Sequence, residues 1–98
     1  MLDPELDLEC LRIPHFYHAF YVYKYATGIS AAVTLSQRVL AHESGSVEAY
    51  LSFLRSGGSK FPLETLKAAG VDMTTSAPIE STLRLFEQRL DELEELLL

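Results

Sequence analysis

Residues 13–32, IPHFYHAFYVYKYATGISAA, constrain this chain more than any other stretch. Six aromatic residues (Phe16, Tyr17, Phe20, Tyr21, Tyr23 and Tyr25) and two histidines, His15 and His18, fall between positions 15 and 25. The run then changes to small residues: Ala26, Thr27, Gly28, Ser30, Ala31 and Ala32. A surface helix carries one apolar stripe and one charged face. From Phe16 to Leu35 the only formal charge is Lys24, so the stretch reads as a helix covered on nearly all sides. Its tyrosines put hydroxyls in a buried or cleft setting, where each needs a partner.

The helix is predicted from about position 15 or 16 to about 42. Tyr17, Tyr21 and Tyr25 recur every four residues and would share one face. The β-branched and aromatic residues around Val22 do not alternate with polar ones, which argues against a strand. Gly28 costs about 1 kcal/mol in a helix interior, so close approach of another backbone is the expected compensation. Gln37, Arg38, His42 and Glu43 are expected to mark emergence into solvent, and Ser44-Gly45-Ser46 the stop.

The flanks read as shorter helices. Asp3 and Pro4 suit a first helical turn, with Leu6, Cys10 and Ile13 on its buried side, and Pro14 separates it from the aromatic run. A helix over 47–55 is predicted from Ser46 as cap and from the spacing of Val47, Tyr50, Leu51 and Leu54. A short one over 62–69 follows, with Leu63 and Leu66 inward and Gly70 as its stop. A last helix starts near Ala77, capped by Ser76. Its Ile79, Leu83, Phe86, Leu90, Leu93 and Leu97, spaced 4, 3, 4, 3 and 4, form an amphipathic seam. The fold class is all-α: one long buried aromatic helix, two short helices and a C-terminal amphipathic helix, in a single unit over 1–98.

Composition narrows the function. At 48% apolar residues the chain can build a core. A net charge of −6 argues against a nucleic acid partner and an anionic membrane surface. No apolar run reaches the ~18 residues of a membrane span, and the acidic start has no leader pattern. Cys10 is the only cysteine, which suits a cytoplasmic setting. It reads as a small buried hydrophobe rather than a reactive thiol.

Three constellations carry possible chemistry. His15 and His18 lie one helical turn apart, yet a metal needs three or four ligands, no cysteine is near, and the closest carboxylate in sequence is Glu9. The plain reading is that one histidine packs and the other faces solvent. His15 with the tyrosine stripe is the second: imidazole and phenol both donate and can stabilise an oxyanion. On spacing alone an aromatic core with satisfied hydroxyls is the favoured reading. The Gly57-Gly58-Ser59 loop lacks the lysine and preceding strand of a phosphate loop and reads as a turn.

Three segments together resemble the C-terminal end of oligoendopeptidase F, in the thimet oligopeptidase-like family of zinc metallopeptidases. They are IPHFYHAFYVYKYATGISAA, VEAYLSFLRSGGSKFPLETLKAAGVDM and the closing helix, in the family's order. The resemblance runs from about Arg12 to Leu90. It implies a mostly helical peptidase acting on short peptides in a deep channel, with zinc held by an HEXXH helix and a distant glutamate. It implies that His15, Tyr21 and Tyr25 stabilise the oxyanion, and that Tyr17 and His18 contact substrate.

The chain departs from that family in having no HEXXH. Its histidines are His15, His18 and His42 alone, so zinc belongs to the full-length enzyme and none is expected to be bound here. The 98 residues are then the C-terminal part of a larger catalytic domain, inactive alone, with the N-terminal remainder as partner. The other reading is a non-catalytic helical module whose uncovered apolar surface drives it into a homo-oligomer, the tyrosine face buried between copies.

Overall fold

A computed structural model describes residues 4–98 and is all-helical, as the sequence implies. Two 3₁₀ helices, Pro4–Arg12 and Pro14–Tyr17, precede four α-helices: α1 (Tyr23–Leu40), α2 (Ser46–Ser56), α3 (Pro62–Ala68) and α4 (Ala77–Leu97). The cap expected at Asp3 lies outside the described residues.

The long helix starts later than its aromatic spacing suggests. Residues 18–22 form a turn, with Phe20 in the left-handed region at φ 58°. Aromatic and β-branched residues are middling helix formers, and helices draw most of their stability from packing. Most of this block is uncovered: Phe20 is 86% exposed, Phe16, Tyr17, Tyr23 and Tyr25 are exposed too, and only Tyr21 and Val22 are half-buried. The expected covering on nearly all sides is therefore not met. Gly28 has no neighbour within 4 Å of the place a Cβ would take, so the expected close backbone approach is absent here. Cys10 and Leu6 are likewise exposed, because the first 3₁₀ helix packs on the short second one rather than on the α-helical body.

The interior is small. Ala31, Leu35, Ala69 and Val71 form the buried core, with Phe53, Leu66 and Met73 packed against it. On α2 it is Phe53, not Val47, Tyr50, Leu51 or Leu54, that turns inward, and on α3 Leu66 but not Leu63. Two helix ends hold this core together by the same device. At α1 the amide of Glu43 donates to the Arg38 carbonyl and that of His42 to Val39, with His42 left-handed at φ 54°. At α3 the amide of Val71 donates to Leu66 and that of Gly70 to Lys67, with Gly70 at φ 90°. The chain then places Val71 at 0% exposure, the apolar residue that such an ending buries against its helix.

Arg38 joins the two ends. Its guanidinium donates to both carboxylate oxygens of Glu43 at 2.8 and 2.6 Å and to the Ala69 carbonyl at 2.5 Å. The arginine holds the Glu43 carboxyl below the usual carboxylate range. Gln37 also faces inward, accepting from Ser81 Oγ at 2.5 Å. The polar cluster expected to meet solvent is thus partly a packing surface.

α4 lies along α1, and Pro78, Ser81, Thr82 and Leu85 are the buried and half-buried residues of its first half. The apolar seam points elsewhere: Ile79, Leu83, Phe86, Leu90, Leu93 and Leu97 are all exposed. Neither predicted serine cap forms a side-chain cap bond. Ser46 is the first residue of α2 rather than its cap, buried with no partner for its hydroxyl among the described residues, and Gly45 takes the cap position.

Candidate functional site

The aromatic block gathers four of the five residues singled out from sequence. The turn over 18–22 folds the 3₁₀ segment back, so that His15 meets Tyr21 at 5.4 Å between ring centroids and His18 meets Tyr21 at 6.1 Å. Tyr21 contacts Tyr25, in the first turn of α1, edge-on at 6.3 Å. Tyr21 is the hub and is half-buried, while His15, His18 and Tyr25 stay exposed. Tyr17 does not join: its hydroxyl donates to the Leu11 carbonyl and so ties the two 3₁₀ helices together. The expected stripe of Tyr17, Tyr21 and Tyr25 along one helix face is replaced by a pair, since the three residues sit in a 3₁₀ turn, a loop and an α-helix.

Lys24 belongs to the cluster and was not among the residues singled out. Its Nζ lies 4.0 Å from the centre of the Tyr21 ring. The signal was present, as the one formal charge in an otherwise uncharged run. Hydrogen bonding with Tyr21, then the charge of Tyr21, then burial push the Tyr25 phenol above its ordinary value of 10.0. A phenol is a hydrogen-bond donor at neutral pH with or without that shift. Imidazole, phenol and ammonium groups on one patch can meet a carbonyl oxygen that is gaining charge. Donors in bulk water gain little from this, so the patch needs a cover that excludes water.

A separate apolar groove of about 1030 Å³ begins beside the cluster at Tyr23 and Lys24 and runs down α1 to Leu40. Ala31 and Leu35 floor it, Tyr50 and Phe53 of α2 and Leu63 and Leu66 of α3 wall it, and Gly28 opens onto it. None of His15, Tyr17, His18, Tyr21 and Tyr25 lines it.

Among the described residues no three His, Cys, Asp or Glu side chains are placed to hold a metal ion. The zinc implied by the resemblance does not fit these residues. No helix of the described residues is long and apolar enough to cross a membrane.

Residues 4–85 match Peptidase family M3. The chain belongs to that family. Oligopeptidase PepF of Bacillus subtilis (strain 168) is 51% identical over 98 residues, all of this chain and 15% of the relative. The plasmid oligoendopeptidase F of Lactococcus lactis subsp. cremoris is 45% identical over 94 residues, covering 96% of this chain and 16% of the relative. Among solved structures, the crystal structure of oligoendopeptidase-F from Enterococcus faecium superposes with a TM-score of 0.86 at 52% identity, over 97% of this chain and 18% of that one. This M3 chain thus spans a small part of the length of the relatives it matches. The superposition extends to the 3₁₀ segments and the turn, since 97% of the chain is covered.

Proposed function

We propose that these residues are the C-terminal segment of an oligoendopeptidase that hydrolyses short peptides. In this reading His15, Tyr21 and Tyr25 donate hydrogen bonds to the peptide carbonyl oxygen as it becomes an oxyanion, and Lys24 adds positive charge. His18 and Tyr17 contact the bound peptide. The observation that carries the reading is the joining of His15, Tyr21 and Tyr25 by ring contacts on an exposed segment of an M3 chain. Zinc would be held by the N-terminal remainder of the polypeptide. A cytoplasmic setting fits the single free, exposed thiol of Cys10.

Donors pre-aimed at a developing oxyanion cost little reorganisation at the moment of reaction. In the polypeptide that carries the remainder, His15→Ala or Tyr21→Phe is expected to lower kcat by roughly ten- to a thousand-fold, measured on a fluorogenic short peptide. Unchanged kcat in both variants removes these residues from the mechanism. The 98-residue chain by itself is expected to cleave no peptide with or without added zinc.

The exposed apolar side chains favour a second reading, in which the isolated chain self-associates and buries its tyrosine face between copies.

A further inference from the structure

The exposed seam of α4 carries information about its partner. Ile79, Phe86 and Leu93 alternate with Leu83, Leu90 and Leu97 on the 21-residue helix, a coiled-coil-like pattern. Beside the seam, one residue after each of the first three, stand Glu80, Glu87 and Glu94. Glu80 reaches Arg84 only at 3.9 Å, and Glu87 and Glu94 have no ion pair among the described residues. A shallow depression of about 470 Å³ lies on this flank, formed by Leu83, Phe86 and Leu90 with Glu80, Arg84 and Glu87 at its rim.

We infer that this seam docks an amphipathic helix that bears lysine or arginine beside its apolar stripe and is supplied by the remainder of the same polypeptide. Charge decides the chemistry. A basic flank would pair Glu87 and Glu94, which have no ion pair among the described residues. A second copy of α4 fits worse. An antiparallel pair sets the glutamate rows against each other, and a parallel pair offers them only Arg89, which Glu92 already holds, with Thr82 and Leu96 at the other facing positions. The source rests on the reading of the chain as a segment, since the relatives it matches carry most of their length outside it.

Two measurements test the proposal, and neither reads catalysis, so they stand or fall apart from the roles of His15 and Tyr21. In the first, the 98-residue chain is titrated with two synthetic 21-residue helices that share a leucine heptad stripe and differ in lysine or glutamate flanks. The lysine helix is expected to bind roughly ten-fold tighter at low salt, and Glu87→Lys with Glu94→Lys to reverse the order. Equal affinities, no binding, or an order that the double variant leaves unchanged overturns the charge rule. Dimerisation through α4, seen as a mass that drops in Leu90→Asp, assigns the seam to a second copy and overturns it as well. In the second, amide exchange over residues 83–97 is compared between this chain and the polypeptide carrying the remainder. Exchange roughly a hundred-fold slower in the longer polypeptide is expected, with the difference reduced by the double variant. Equal exchange overturns the source.

Discussion

Asp72 shows how much one side chain can organise after a helix end. Its carboxylate meets Lys67 Nζ at 2.8 Å and accepts from the Thr74 amide at 3.0 Å and from the Thr74 hydroxyl at 2.5 Å. Lys67 first, then Thr74, hold its pKa down from 3.8 to about 2. A carboxyl depressed in the folded state adds stability above its unfolded value, and that stability is lost as pH falls through the folded value. Unfolding measured against pH is therefore expected to show a loss between about pH 4 and pH 2, and Asp72→Asn to flatten that part of the curve. None of this was legible in the sequence, where Val71-Asp72-Met73-Thr74-Thr75 reads only as a connector. His15, Tyr21 and Tyr25 were legible as types, because aromatic residues with histidine in an uncharged run are unusual. Their partners were not. The ring contacts depend on a left-handed Phe20, which no periodicity announces.

Helices were readable wherever turn chemistry bounds them. α2 and α3 lie within a residue of their predicted limits, and α4 begins at the predicted residue because Pro78 and a small-residue connector mark it. The start of α1 failed because period was taken as burial. The tyrosine spacing describes a helix face only if something covers it. The ends of α1 and α3 work as one joint. A Cβ on Gly70 would lie 1.4 Å from Arg38 Nη1 and take a left-handed φ as well. The guanidinium can move away only by giving up Ala69 and Glu43. Gly70→Ala is expected to cost about 1–3 kcal/mol, read from the urea midpoint, while Gly58→Ala at an open site changes little. Equal effects would show that the joint does not hold the two helices.

Taken whole, the molecule is too open for its length. Its radius of gyration is 17.6 Å, where a compact domain of this size has about 13 Å. It exposes 8154 Å², about 2,500 Å² more than the ~5,600 Å² usual for its mass. That excess is the size of an obligate interface. Light scattering at tens of micromolar is expected to give a mass above the 11.0 kDa monomer. A monomer there would sink self-association without touching the segment reading. The sequence hinted at this, since one helix apolar all round has too few partners in so short a chain. It did not show that α4 turns its own seam outward, because the buried and half-buried residues of its first half, Pro78, Ser81, Thr82 and Leu85, look unremarkable on a wheel. Gly28 carries the last consequence. With no atom near its missing side chain, nothing inside these residues asks for a glycine, and Gly28→Ala should raise the melting stability of the isolated chain by about 1 kcal/mol. Anyone redesigning the segment to live alone would begin by filling that gap.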